Sequence, residues 1–168
     1  MIAALVSTRL RTALVILGVA VATIGGAWII EAMGFAPCEL CLKQRIPYYA
    51  GIPLAAFAAI ALQRGGEGAA RIALALLGLL FAAGTALAFY HSGVELKLFP
   101  GPSECSGAMR KAGSFGDFRS SLDKMKVVSC DRPALRIFAL TLSNWNILIS
   151  AGLAGLALRT WRGPRAGA

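Results

Sequence analysis

The residues with the most chemical content are the four cysteines, Cys38, Cys41, Cys105 and Cys130, together with Arg45 and the single histidine, His91. Cys38-Glu39-Leu40-Cys41 has the two-residue spacing of a redox dithiol or of half a zinc site. Zinc sites usually close with a second close pair. Here Cys105 and Cys130 stand 25 residues apart, so no metal is expected. A non-enzymatic protein with two structural disulfides stays open as an alternative. Three details favour redox chemistry. Pro37 precedes the pair and a helix-forming run follows, which puts both sulfurs near the positive end of a helix dipole, where thiolate is stabilised. Arg45 lies four residues after Cys41, so on a continuous helix the two share a face. An always-charged guanidinium there could hold a thiolate or the oxygen of a reduced acceptor, or simply anchor the helix end by snorkelling. The long segment between the other cysteines could carry the second pair to a partner and back.

These groups are set among apolar segments. The 168-residue chain is 57% hydrophobic and only 15% charged, against about 25% charge in ordinary soluble domains. Its net charge of +9 does not point to nucleic acid, because there is no basic stripe with interleaved aromatics; basic residues flanking apolar runs set membrane orientation instead. Four segments approach the ~20 residues needed to cross a bilayer: about 12–30, 46–62, 72–90 and 145–160, the last the weakest. Their richness in Ala, Leu and Gly suits close helix packing in lipid. Pro53 should kink the second span. The first run is longer than the ~7–15-residue core of a leader and has no small-x-small site before Glu31, so a retained span is expected.

The short regions around 1–11, 63–71 and 159–168 carry seven basic residues against one acid. The two other connections, about 31–45 and 91–144, carry ten basic residues and seven acids over a much longer stretch. The denser basic excess puts both termini in the cytoplasm. All four cysteines then lie outside it, where disulfides persist. In the longer connection Leu98-Phe-Pro-Gly-Pro102 forbids a continuing helix. Leu135, Phe138 and Leu142 recur at helical spacing, which predicts a short helix over 133–143 lying on the membrane surface.

Pro37-Cys-Glu-Leu-Cys-Leu-Lys-Gln-Arg45 resembles the signature of the bacterial disulfide-bond formation protein B (DsbB) family. So do Tyr90-His-Ser-Gly-Val-Glu95, Phe99-Pro-Gly-Pro102, Cys105, Cys130 and Leu142-Ser-Asn-Trp-Asn146. The resemblance covers nearly the whole chain. It implies an all-α membrane protein of the bacterial inner membrane, a four-transmembrane-helix bundle with two external (periplasmic) loops, working as a monomer. The implied activity is quinone-dependent protein-disulfide oxidoreduction, with ubiquinone or menaquinone as cofactor and a periplasmic DsbA-like thiol oxidase as partner. By position, Cys105 would be attacked by the partner's thiol, and Cys130 would be its intramolecular mate. Cys38 and Cys41 would reoxidise that pair. Cys41 would face the quinone with Arg45 assisting, and His91 is carried over as a further cofactor-binding candidate. A membrane oxidoreductase serving a different thiol partner would share this chemistry.

Overall fold

In the computed structural model, residues 2–102, 129–133 and 135–163 are described. Cys105, and with it most of the long connection, lies outside the described residues. Four long helices carry the fold: α1 (Ile2–Ala32), α2 (Glu39–Gln63), α3 (Glu67–Glu95) and α4 (Leu142–Arg162). Short turns make α1, α2 and α3 run up and down, and α4 packs chiefly on α3 while also touching α1, which closes the bundle. Among the described residues α1, α2 and α3 contain stretches long and apolar enough to cross a membrane. The 21-residue α4 is more polar, with Ser143, Asn144 and Asn146 in its first turns.

The burial pattern suits lipid. Ile16, Leu74, Leu77, Phe81, Leu153 and Ala157 pack inside the bundle, while Ile29, Phe57, Ile72, Leu79 and Phe89 point outward and are exposed. With no water-driven force between helices in hydrocarbon, close approach at small residues must hold the bundle. At Gly78 an added Cβ would meet Leu158 Cδ2 at 2.5 Å, and at Gly51 it would meet the Phe81 ring at 2.8 Å. These glycines are where α3 accepts α4 and where α2 accepts α3.

The helix ends that matter for chemistry have local causes. Gly34, at φ +96°, turns the chain out of α1, a conformation that glycine adopts without penalty. The non-helical stretch between α1 and α2 then covers only residues 33–38. Cys38 is the N-cap of α2: its backbone is extended and its sulfur accepts the Cys41 backbone N–H, a role usually taken by Ser, Thr, Asp or Asn. Thr141 caps α4 in the same way, accepting from the Asn144 N–H.

The surface helix expected over 133–143 does not form. That segment instead makes an antiparallel hairpin, β1 (Arg136–Ile137) with β2 (Leu140–Thr141). Its two turn residues, Phe138 and Ala139, have φ of +49° and +66°, the left-handed pair that a two-residue hairpin with right-handed strand twist requires. Phe138, expected on the apolar stripe of that surface helix, instead sits at the hairpin tip and is 89% exposed. Two contacts compete with the helical pattern and win: the Thr141 cap starts α4 abruptly, and the Trp145 indole N–H donates to the Ile137 carbonyl at 3.1 Å.

Candidate functional site

The site lies where the N-terminus of α2, the C-terminal part of α3 and the N-terminal part of α4 meet. Cys38 and Cys41 are free thiols with their sulfurs 2.9 Å apart. Spacing explains this: Cys38 caps the helix and Cys41 is in its first turn, so one helical turn brings both sulfurs to the same corner. His91 Nε2 lies 3.6 Å from the Cys38 sulfur, and the histidine is only 3% exposed. Cys130 is disulfide-bonded and buried in one apolar cluster with Cys38, Leu40 and Val94, against which Cys41 packs. Three of the four predicted cysteines are therefore brought together.

Electrostatics favour thiolate at Cys38. The Cys41 thiol directed at it lowers its pKa most; burial pushes the other way; His91 and the Cys41 backbone N–H add to the lowering. The result is a Cys38 thiol held at about 4, from an ordinary 9.0. Hydrogen bonds to the charged form are the cause.

A cavity of about 300 Å³ opens beside the pair. Its walls are mostly apolar, including Ala22, Ile24, Ile30 and Ile149, and its polar groups include Cys41, Arg45, Gln44 and His91. Arg45 reaches this cavity and also pairs with Glu31 across 2.8 Å, which ties the end of α1 to α2. Arg45 therefore both anchors a helix end and lines the cavity.

Behind His91 runs a buried polar chain that the cysteine spacing does not reveal. Gln44 Nε2 is 2.5 Å from His91 Nδ1. Asn146 Nδ2 donates to Gln44 Oε1. Tyr48 donates to Asn146 Oδ1 at 2.5 Å, and Ser150 adds a 3.2 Å contact to the same oxygen. On the other side, Glu95 Oε1 lies 3.8 Å from His91 Nε2, and Ser143 donates to Glu95 Oε2 at 2.5 Å. Glu95 and Asn146 fall within the resembling stretches without an expected role, and Tyr48 and Ser150 were missed. A signal was present: Cys41, Gln44 and Tyr48 recur at i, i+3, i+7 along α2, and His91–Glu95 and Asn146–Ser150 at i, i+4. Polar residues at helical spacing within an apolar helix face the bundle interior.

Cys38, Cys41 and His91 offer ligand atoms within 4.8 Å of one another, so proximity alone would allow a metal. The hydrogen-bond polarity opposes it. Metal-bound histidine donates its other N–H to an acceptor, whereas Nδ1 here faces the NH₂ group of Gln44.

Residues 9–160 match the family described as disulfide bond formation protein DsbB. The chain belongs to that family and is a membrane protein of disulfide formation. It is also similar to the uncharacterized protein RP370 of Rickettsia prowazekii (strain Madrid E), with 25% identity over 140 residues, 82% of this chain and 78% of that protein. No solved structure matches the chain.

Proposed function

We propose that this member of the DsbB family is an inner-membrane thiol oxidase that reoxidises a periplasmic DsbA-like dithiol and passes two electrons to a membrane quinone. The observation that carries the reading is an order in space: disulfide-bonded Cys130 shares a buried cluster with Cys38, Cys38 touches Cys41, and Cys41 lines the cavity.

The chemistry follows that order. A thiolate of the partner attacks Cys105, forms a mixed disulfide and releases Cys130 as thiolate. The Cys130 thiolate attacks Cys38 of the oxidised Cys38–Cys41 pair; one S–S bond forms, one breaks, and Cys41 leaves as thiolate. The partner's second thiolate then resolves the mixed disulfide and leaves oxidised, releasing Cys105 as thiolate; Cys105 attacks Cys130, re-forms their disulfide and expels Cys38 as thiolate, which leaves the Cys38–Cys41 pair reduced. Exchange of this kind needs an attacking thiolate and a reachable sulfur, and the lowered pKa of Cys38 makes it a good leaving group. A partner near −120 mV is a strong oxidant, and each ~30 mV uphill costs about 1.4 kcal/mol for two electrons. An ordinary protein disulfide does not readily oxidise it.

A quinone fits the cavity by the chemistry of its walls: an apolar lining for a lipid-soluble body, with Arg45 as a charged donor and the polar Gln44 and His91 at the cysteine end. Cavities of ~300–1,000 Å³ with few polar groups are ordinary small-molecule sites. When bound, a quinone supplies a two-electron, two-proton acceptor. Arg45 would orient its oxygens, His91 would line the cysteine end of the site, and the apolar walls would exclude water. The basic flanks of the spans support cytoplasmic termini and periplasmic cysteines.

Quinol formation by purified protein with reduced partner and quinone is the test. Steady quinone reduction that is lost in Cys41→Ser is expected. No reduction, or full activity in that variant, sinks the reading.

A further inference from the structure

Gln44, Asn146, Tyr48 and Ser150 form no bond in the exchange chemistry, yet all are buried or partly buried in the bundle interior and joined end to end. Burying so many polar groups is costly unless each is satisfied. The direction of the chain is therefore informative. A tyrosine hydroxyl and a serine hydroxyl both converge on Asn146 Oδ1, which leaves the Asn146 amide nitrogen to donate to Gln44 Oε1. The Gln44 oxygen being used, its nitrogen must face His91 Nδ1. In this orientation the amide NH₂ donates, which makes Nδ1 the unprotonated nitrogen. Turning Gln44 and Asn146 together would also satisfy the chain, because the Tyr48 and Ser150 hydroxyls can accept, and would move a proton to Nδ1; the acceptors at the other ring nitrogen decide against a bare Nε2.

The groups around the other nitrogen agree. His91 Nε2 faces the Cys38 sulfur at 3.6 Å and the Glu95 carboxylate at 3.8 Å, both acceptors when ionised. Arg45 and Arg132 line the adjoining cavity and complete the charged surroundings. One ring nitrogen thus meets a donor and the other meets two acceptors.

We propose that Gln44, Asn146 and Tyr48 are positioning residues that hold His91 in its Nε2–H tautomer, so that the imidazole donates to the Cys38 sulfur. A ring held this way directs its Nε2–H at the Cys38 sulfur and is unsuited to bind metal at Nε2. The consequence for turnover rests on the oxidase reading above; the tautomer itself does not.

Because the chain has one histidine, ¹⁵N-histidine labelling of the reduced full-length protein in lipid nanodiscs reports His91 alone. The expected wild-type spectrum shows protonated Nε2 and bare Nδ1, with at least about tenfold excess over the other tautomer, the ratio set by ~1.4 kcal/mol. In Gln44→Glu the carboxylate can only accept, so Nδ1 should gain a proton. Tyr48→Phe, which keeps the ring packing, should raise the Nδ1–H population at least several-fold. A wild-type Nδ1–H tautomer or imidazolium overturns the proposal, as does an unchanged tautomer in both variants. Absent quinone reduction with this pattern intact counts against the oxidase reading alone.

Discussion

Two buried polar clusters occupy opposite ends of the bundle, and they are built differently. At one end Arg9, only 2% exposed, sits 3.6 Å from Glu67 and donates to the Gly163 carbonyl at 3.4 Å, while Thr12 and Thr160 meet at 3.1 Å. This cluster joins α1, the start of α3 and the end of α4. Among the described residues it holds a formal ion pair and no thiol. At the other end the core of the cluster is thiol, imidazole and amide, beside a cavity. The first spends opposite charges on holding helix ends together. The second arranges directional donors around one sulfur and leaves room beside it. Burial of polar groups alone does not mark a site; nucleophile, aimed donors and open volume together do.

The sharpest break of that comparison is Cys41→Ser. Turnover should fall at least about a thousandfold, as for loss of a catalytic nucleophile, with little change in thermal stability; a stable variant that stays active would erase the distinction. Arg9→Ala should do the reverse. Removing the buried Arg9 side chain from the half-buried Glu67 and the Gly163 carbonyl costs about 1–3 kcal/mol, read as a lower denaturation midpoint in detergent, while the rate of Cys38 alkylation stays within about twofold of the unaltered protein. Loss of Cys38 reactivity in that variant would mean that the two ends are coupled.

Between the clusters, Gly78→Ala tests the packing that holds them apart. Its Cβ would meet Leu158 at 2.5 Å, and overpacking of this kind costs about 1–3 kcal/mol, again seen in the midpoint. The pH dependence sharpens the thiol end. Because Cys38 is lowered from 9.0 to about 4, its alkylation rate should change less than about twofold between pH 8 and pH 6, where an ordinary thiol loses nearly a hundredfold. The sign for stability follows: the thiolate contributes fully above the unfolded thiol's value and is lost as pH falls through about 4. A steep fall in alkylation across pH 8 to 6 would place Cys38 among ordinary thiols. The smallest effect should come from Phe138→Ser, at a hairpin tip 89% exposed, within about 0.5 kcal/mol by the same midpoint assay.

Much of this was legible in the chain before folding. The charge-poor apolar runs determined a helical membrane protein, since only backbone that satisfies itself can cross lipid. Pro37 and the run after Cys41 placed the dithiol at a helix N-terminus, and Cys38 is indeed the cap of α2. The 133–143 segment was misread because three apolar residues at helical spacing cannot reveal a tight turn: the left-handed backbone of Phe138 and Ala139 is set by pairing, and neither residue type advertises it. Arg9 read as a flanking charge because its partners, Glu67 and Gly163, are remote in sequence.

The sequence by itself determined the membrane character, the placement of Cys38 and Cys41 at a helix start and the family resemblance carried by short motifs, because each depends on composition or on residues within two helical turns. Only the tertiary structure decided that Cys130 joins Cys38, that Arg45 serves both Glu31 and the cavity, and that Gln44, Asn146 and Tyr48 stand behind His91. Those contacts cross helices, and the orientation of a hydrogen-bonded chain exists only once every donor has met its acceptor.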